Sequence, residues 1–208
     1  MKKILLFLTV SATALLACNN AGKNEHEGHD MNTMAKDSPA HAVAEEASTI
    51  KAVAVTFTSV DPKAASSIKE IVDHYLHIKN ALFTDNGMEA ASGAKSMAEA
   101  MKGLDKSLLS AEQKTAFDKS TAELKEHAAQ IADNGNKIDY QRSHFAMMSE
   151  EIYALVKDFS AGRPLYHDHC PMARDNKGAM WISENKDVKN PYFGAKMPTC
   201  GTIEEVIQ

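Results

Sequence analysis

Apolar positions recur at helical spacing from residue 62 to residue 159, and beyond that point the period is lost. Asp61-Pro62 sets an N-cap residue before a proline at the first helical position. Ile68, Ile71, Val72, Tyr75, Ile78 and Leu82 then form a stripe that stops at Asp85-Asn86-Gly87. A second, Ala- and Met-rich helix is predicted over 88–104, with Met97, Met101 and Leu104 on one side. Ser110-x-x-Gln113 is a capping-box signature for a third helix carrying Phe117, Leu124, Ala128 and Ile131, which Asp133-Asn134-Gly135-Asn136 breaks. The fourth, over 138–159, holds Phe145, Met148, Ile152, Leu155 and Phe159 at core spacing before Gly162 and Pro164 end it. Four amphipathic helices with short connections predict an all-α fold, an antiparallel up-down four-helix bundle.

Two flanks complete this picture. Val53, Val55 and Phe57 alternate with small or polar residues and suggest a short extended lead-in. After the helices, Pro171, Gly178, Pro191, Gly194, Pro198 and Gly201 predict an irregular C-terminal segment. Tyr166, Trp181, Ile182, Tyr192 and Phe193 are its expected anchors on the bundle. A last short helix is expected from Thr202, with Glu205 completing a capping box.

The N-terminal residues follow a different logic. Lys2 and Lys3 precede a short apolar run, Ile4 to Val10, too short to span a membrane and flanked like a signal peptide. Leu15-Leu16-Ala17-Cys18 resembles the end of a bacterial lipoprotein signal, so 1–17 is read as the signal peptide and Cys18 as the lipidated first residue of the mature chain. Residues 18–50 have no apolar period and are expected to be a disordered tether. His26, His29, Met31, Met34 and His41 lie within it, a composition suited to weak metal capture. Residues 51–208 form the domain. The expected location is extracytoplasmic, lipid-anchored to the cell envelope through Cys18 and facing the periplasm or the cell surface.

Charge and cysteine usage narrow the chemistry. Of the 208 residues, the basic ones are dispersed and the net charge is −5, so no nucleic-acid-binding face is expected. Outside the cytoplasm, Cys170 and Cys200 are disulfide candidates. Yet Met172 follows Cys170 by two residues and Met197 precedes Cys200 by three, while His167 and His169 lead into the first. Thiolate, thioether and imidazole suit Cu(I), with Ag(I) as a second soft ion, better than carboxylate-seeking ions. Two readings therefore stand side by side, a soft-metal site and a disulfide that staples the segment while the methionines fill gaps.

On the fourth helix Tyr140, His144, Met147 and Glu151 share a face, from which His144 would complete the ligand set if the terminal segment packs there. His74 and His77 are assigned surface or packing roles, and His127 reads as solvated. The chain has no nucleophile elbow, phosphate loop or His-Glu-x-x-His signature, and no enzymatic activity is expected.

The blocks Cys170-Pro171-Met172-Ala173, Gly178-Ala179-x-Trp181-Ile182-Ser183, Asn190-Pro191-Tyr192-Phe193-Gly194 and Met197-x-x-Cys200-Gly201 resemble an uncharacterised bacterial domain family. Tyr75-Leu76-x-x-Lys79-x-Ala81-Leu82 and Gln141-Arg142-x-x-Phe145 extend that resemblance over about residues 60 to 205. The family occurs as exported lipoproteins and at the end of some membrane-fusion subunits of copper/silver efflux pumps. The resemblance therefore implies heavy-metal handling, with an efflux-pump adaptor as possible partner. The leading expectation is buffering of Cu(I) or delivery to efflux; the alternative is a metal-free, disulfide-stapled module that docks on an envelope or pump partner.

The anchor is testable on its own. Cys18→Ala should move the protein from the membrane to the soluble fraction on cell fractionation, and unchanged membrane association would contradict the lipoprotein reading.

Overall fold

The computed structural model describes residues 50–208. Five helices span Pro62–Phe83 (α1), Gly87–Gly103 (α2), Ala111–Ser120 (α3), Leu124–Asp133 (α4) and Ile138–Phe159 (α5). Four strands span Lys51–Val53 (β1), Leu165–Cys170 (β2), Ala179–Ser183 (β3) and Thr202–Ile207 (β4). Cys18, expected as the lipid anchor, and His26, His29, Met31, Met34 and His41 of the expected tether lie outside the described residues. Among the described residues, no helix is long and apolar enough to cross a membrane.

The helical half forms where the pattern places it. Asp61 accepts from the backbone N–H groups of Lys63 and Ala64, with Pro62 in the first turn, and Asn86 caps α2 through Glu89 N. The Ser110–Gln113 capping box closes in both directions. α1 packs on α2, α2 on α4, α4 on α5 and α5 back on α1, so four helices close a ring around one core. Ile68, Ile71, Val72, Tyr75, Ile78 and Leu82 are all buried, as are Phe145, Met148, Ile152 and Leu155.

The expected third helix is two helices. Ser120 Oγ and Thr121 Oγ1 donate back to the carbonyls of Ala116 and Phe117, and the chain turns before α4 restarts. Phe117 on α3 and Leu124 on α4 still fill the same core, so the kink redirects the helix without emptying it.

The all-α assignment is corrected by the C-terminal third, which carries most of a mixed four-stranded sheet in the order β1-β4-β2-β3. β2 lies antiparallel to both β3 and β4, while β1 runs parallel to β4. The segment expected to be a helix from Thr202 is β4. Its Thr202, Ile203, Val206 and Ile207 are β-branched and suit a pleated surface better than a helical turn. In β3, Trp181, Ile182 and Ser183 are all buried, because the strand is pressed against the helices. Irregular chain remains where Pro and Gly are densest, from 184 to 201. Trp181, Ile182 and Tyr192 are buried anchors as expected, whereas Tyr166 and Phe193 are half-buried.

β3 is an edge strand, and the helices cover it. Ile182 N donates to Tyr75 Oη at 3.0 Å, and that hydroxyl also meets Ser149 Oγ at 2.8 Å. One turn along α1, the fully buried Lys79 reaches Ser183 Oγ at 3.3 Å and Glu184 Oε2 at 2.8 Å. Asn80 holds the other oxygen of Glu184 at 3.0 Å. From α5, Arg142 donates to the Pro191 and Leu82 carbonyls and pairs with Asp85 at 2.6 Å. Burial of the Lys79 ammonium is tolerable only because its hydrogens find these acceptors.

Tyr75→Phe removes the acceptor of the buried Ile182 N–H together with the bond to Ser149 Oγ. It should destabilise the protein by about 1–3 kcal/mol in urea unfolding, and an unchanged midpoint would show that the edge is satisfied in another way.

Candidate functional site

Cys170 ends β2 and Cys200 lies two residues before β4, and the antiparallel pairing of these strands brings the two together. Their sulfur atoms stand 2.7 Å apart, with Cys170 fully buried and Cys200 half-buried. Close approach of the Cys200 loop requires Gly201. A Cβ at that position, where φ is +135°, would stand 2.9 Å from both His169 O and the Trp181 ring. Asn190 Nδ2 holds Cys200 O at 2.7 Å, and Asn190 Oδ1 accepts from the N–H groups of Tyr192 and Phe193. The Asn-Pro-Tyr-Phe block thus fastens the second cysteine. Contact with Cys170, followed by burial, pushes the Cys200 thiol up to about 11, so Cys200 holds its proton at neutral pH.

The methionines flank this pair without being buried. Met172 is 48 % exposed and Met197 is half-buried. Between Cys170 and β3 the chain reverses through Arg174, Asp175 and Asn176, all in the left-handed region, and Gly178.

The structure does not bring the expected histidines to the cysteines. In β2, alternation puts His167 and His169 on one face and Asp168 and Cys170 on the other. The two histidines share Glu204, the extra residue of a β4 bulge, at 3.5 and 3.3 Å. His167 also lies against the Tyr153 ring. Burial lowers the His167 pKa, with Glu204 opposing. His144 faces α4 instead, its Nδ1 3.2 Å from His127 Nδ1 and its ring against Tyr140. The proposed ligand set Cys170, Met172, Met197, Cys200, His169, His167 and His144 is therefore divided among three places.

A second constellation escaped the sequence reading. Glu123, His127 and Glu151 each offer a ligand atom, all within 4.8 Å of one another. His127 is buried, not solvated, because the kink at Ser120–Thr121 turns α4 so that this position faces α5. Burial, and then the charge of Glu123, push Glu151 up to about 7. The Glu123-x-x-x-His127 spacing was visible as one helix face, but the partner on α5 was not.

A third feature lies under the sheet. Asp168 is fully buried and neither carboxyl oxygen has a hydrogen-bond partner, so burial pushes its pKa up to about 7 against the opposing pull of Lys79.

A model of the family described as "Protein of unknown function (DUF3347)" matches residues 71–163, so a domain of that family lies within the helical part of the chain. It covers α2 to α5 and most of α1, together with Tyr75, Lys79 and Arg142, the residues that fasten the sheet to the helices. No curated protein and no solved structure matches the chain.

The Asp168 carboxyl sets a pH dependence whose sign is fixed. Its folded pKa is raised from 3.8 to about 7, so its contribution to stability is fully present below about pH 4 and is lost as pH rises through 7. Asp168→Asn should therefore gain stability relative to the parent between pH 4.5 and pH 7.5 in thermal melts. A difference that stays constant with pH would contradict the buried, proton-holding carboxyl.

Proposed function

We propose that this is a lipid-anchored, extracytoplasmic domain that takes a soft monovalent ion, Cu(I) or Ag(I), at the Cys170–Cys200 pair. It would buffer the ion or hand it to an efflux system. The observation that carries this reading is the pair itself, two sulfur atoms 30 positions apart in sequence and 2.7 Å apart in space. Cys170 is the fixed ligand, set in a strand; Cys200 is the adjustable one, on irregular chain with a half-buried side chain. Met172 and Met197, two residues after Cys170 and three before Cys200, carry thioethers, the ligand type that favours Cu(I) over Zn(II). The histidines of β2 and α5 are left out of this site.

An ion between two thiolates needs the sulfurs further apart. With metal–sulfur bonds of about 2.3 Å, they would stand up to roughly 4.6 Å from each other. Cys200 must therefore swing outward when the ion enters, and loss of its thiol proton accompanies binding. Oxidation of the pair to a disulfide closes the same gap and shuts out the ion. The anchor and the efflux partner rest on the lipoprotein-like Leu-x-Ala-Cys end and on the C-terminal resemblance, respectively.

The short sulfur separation also favours a second reading, in which the pair is a permanent disulfide and the domain is a metal-free docking module on an envelope or pump partner.

Methionine substitution separates the two. Met172→Leu with Met197→Leu roughly conserves volume and should leave folding intact while weakening Cu(I) binding, measured against a chromogenic chelator under reducing conditions. Unchanged Cu(I) affinity would remove both methionines from the site. Under the second reading, Cys170→Ser alone costs on the order of 2–5 kcal/mol in oxidised protein and the methionine variant behaves like the parent.

A further inference from the structure

We infer that Glu123, His127 and Glu151 form a divalent-cation site of the zinc class between α4 and α5, independent of the cysteine pair. One ligand atom from each residue already lies within 4.8 Å of the other two. An ion with bonds of about 2.0–2.2 Å to nitrogen and oxygen holds tetrahedral ligand atoms roughly 3.4 Å apart, so binding needs only a small contraction.

The arrangement is built into the bundle. His127 is 7 % exposed, and its two ring nitrogens face different partners. Nε2 lies toward Glu123 at 4.0 Å, and Nδ1 meets His144 Nδ1 at 3.2 Å. A ligating imidazole needs this division, with one nitrogen on the ion and the other N–H held by an acceptor that fixes the ring. His144, whose ring also packs against Tyr140, is the group in place to hold that second nitrogen.

Glu151 Oε2 is buried and has no hydrogen-bond partner, although Glu123 and Glu150 bring further negative charge to the same spot. A carboxylate oxygen left in that condition is costly, and a cation shared with Glu123 supplies the missing partner. Glu151 also lines a cavity of about 240 Å³ with Lys119, Glu150 and Asp158.

The donor set decides the class of ion. One imidazole and two carboxylates match the three-ligand pattern of open zinc sites. Calcium and magnesium prefer more oxygen ligands, and Cu(I) prefers sulfur.

Zinc affinity of the full mature chain, read by competition with a chromogenic chelator, tests the site. Glu151→Gln should weaken the tightest zinc binding about tenfold or more. In the absence of metal it should melt at or above the parent temperature, since the negative charge crowded against Glu123 and Glu150 is gone. His127→Gln should lose the same binding, and the double variant Cys170→Ser, Cys200→Ser should keep it. The histidines of the tether are present in every variant and cancel in the comparison. Zinc affinity unchanged in Glu151→Gln would overturn the assignment, as would loss of binding confined to the cysteine variant. The second outcome would place zinc on the thiols, and neither depends on whether the pair binds Cu(I).

Discussion

The hydrogen bond from Ile182 N–H to Tyr75 Oη is the contact on which the arrangement depends. It gives the exposed edge of β3 an acceptor from the helices, where an open edge would otherwise pair with another chain. Lys79 on the next turn of α1 and Arg142 on α5 repeat the device along the same seam, each reaching the C-terminal third with buried donors. With β3 fixed, β2 is fixed by pairing, and with β2 fixed the cysteine at its end has one place to be. Asn190 and Gly201 then bring the second cysteine to it. The sulfur pair is thus the far end of a chain of constraints that begins in the helices.

The helices were legible because their apolar residues fall on one face and their ends carry capping residues. Asp61-Pro62 and Ser110-x-x-Gln113 hold side chain to backbone as their types predict. The sheet was not legible, for a physical reason. β2 reads Leu-Tyr-His-Asp-His-Cys, and a buried aspartate and two histidines hide its alternation; β3 is too short and too uniformly buried to show a period. Density of Pro and Gly marked the irregular stretch correctly but was extended over strands that lie on either side of it. The capping-box pattern at Thr202 failed because β-branched residues in alternation outweigh a local cap.

The candidate sites divide in the same way. Cys170 and Cys200 could be matched as a pair from composition, since they are the two cysteines left once Cys18 is read as the lipidation site. His167 and His169 could not be placed, because one step along a strand reverses the face. The Glu123–His127–Glu151 group was out of reach because its geometry depends on a kink and on the packing of α4 against α5. The sulfur pair thus lies at the sheet, and the Glu123–His127–Glu151 group lies in the bundle.

X-ray absorption at the copper edge, on reduced protein loaded with one equivalent of Cu(I), tests the central claim most directly. The account predicts a first shell of sulfur alone, lost when the protein is oxidised before loading. A shell dominated by nitrogen or oxygen, or copper retained equally by the oxidised protein, would contradict it.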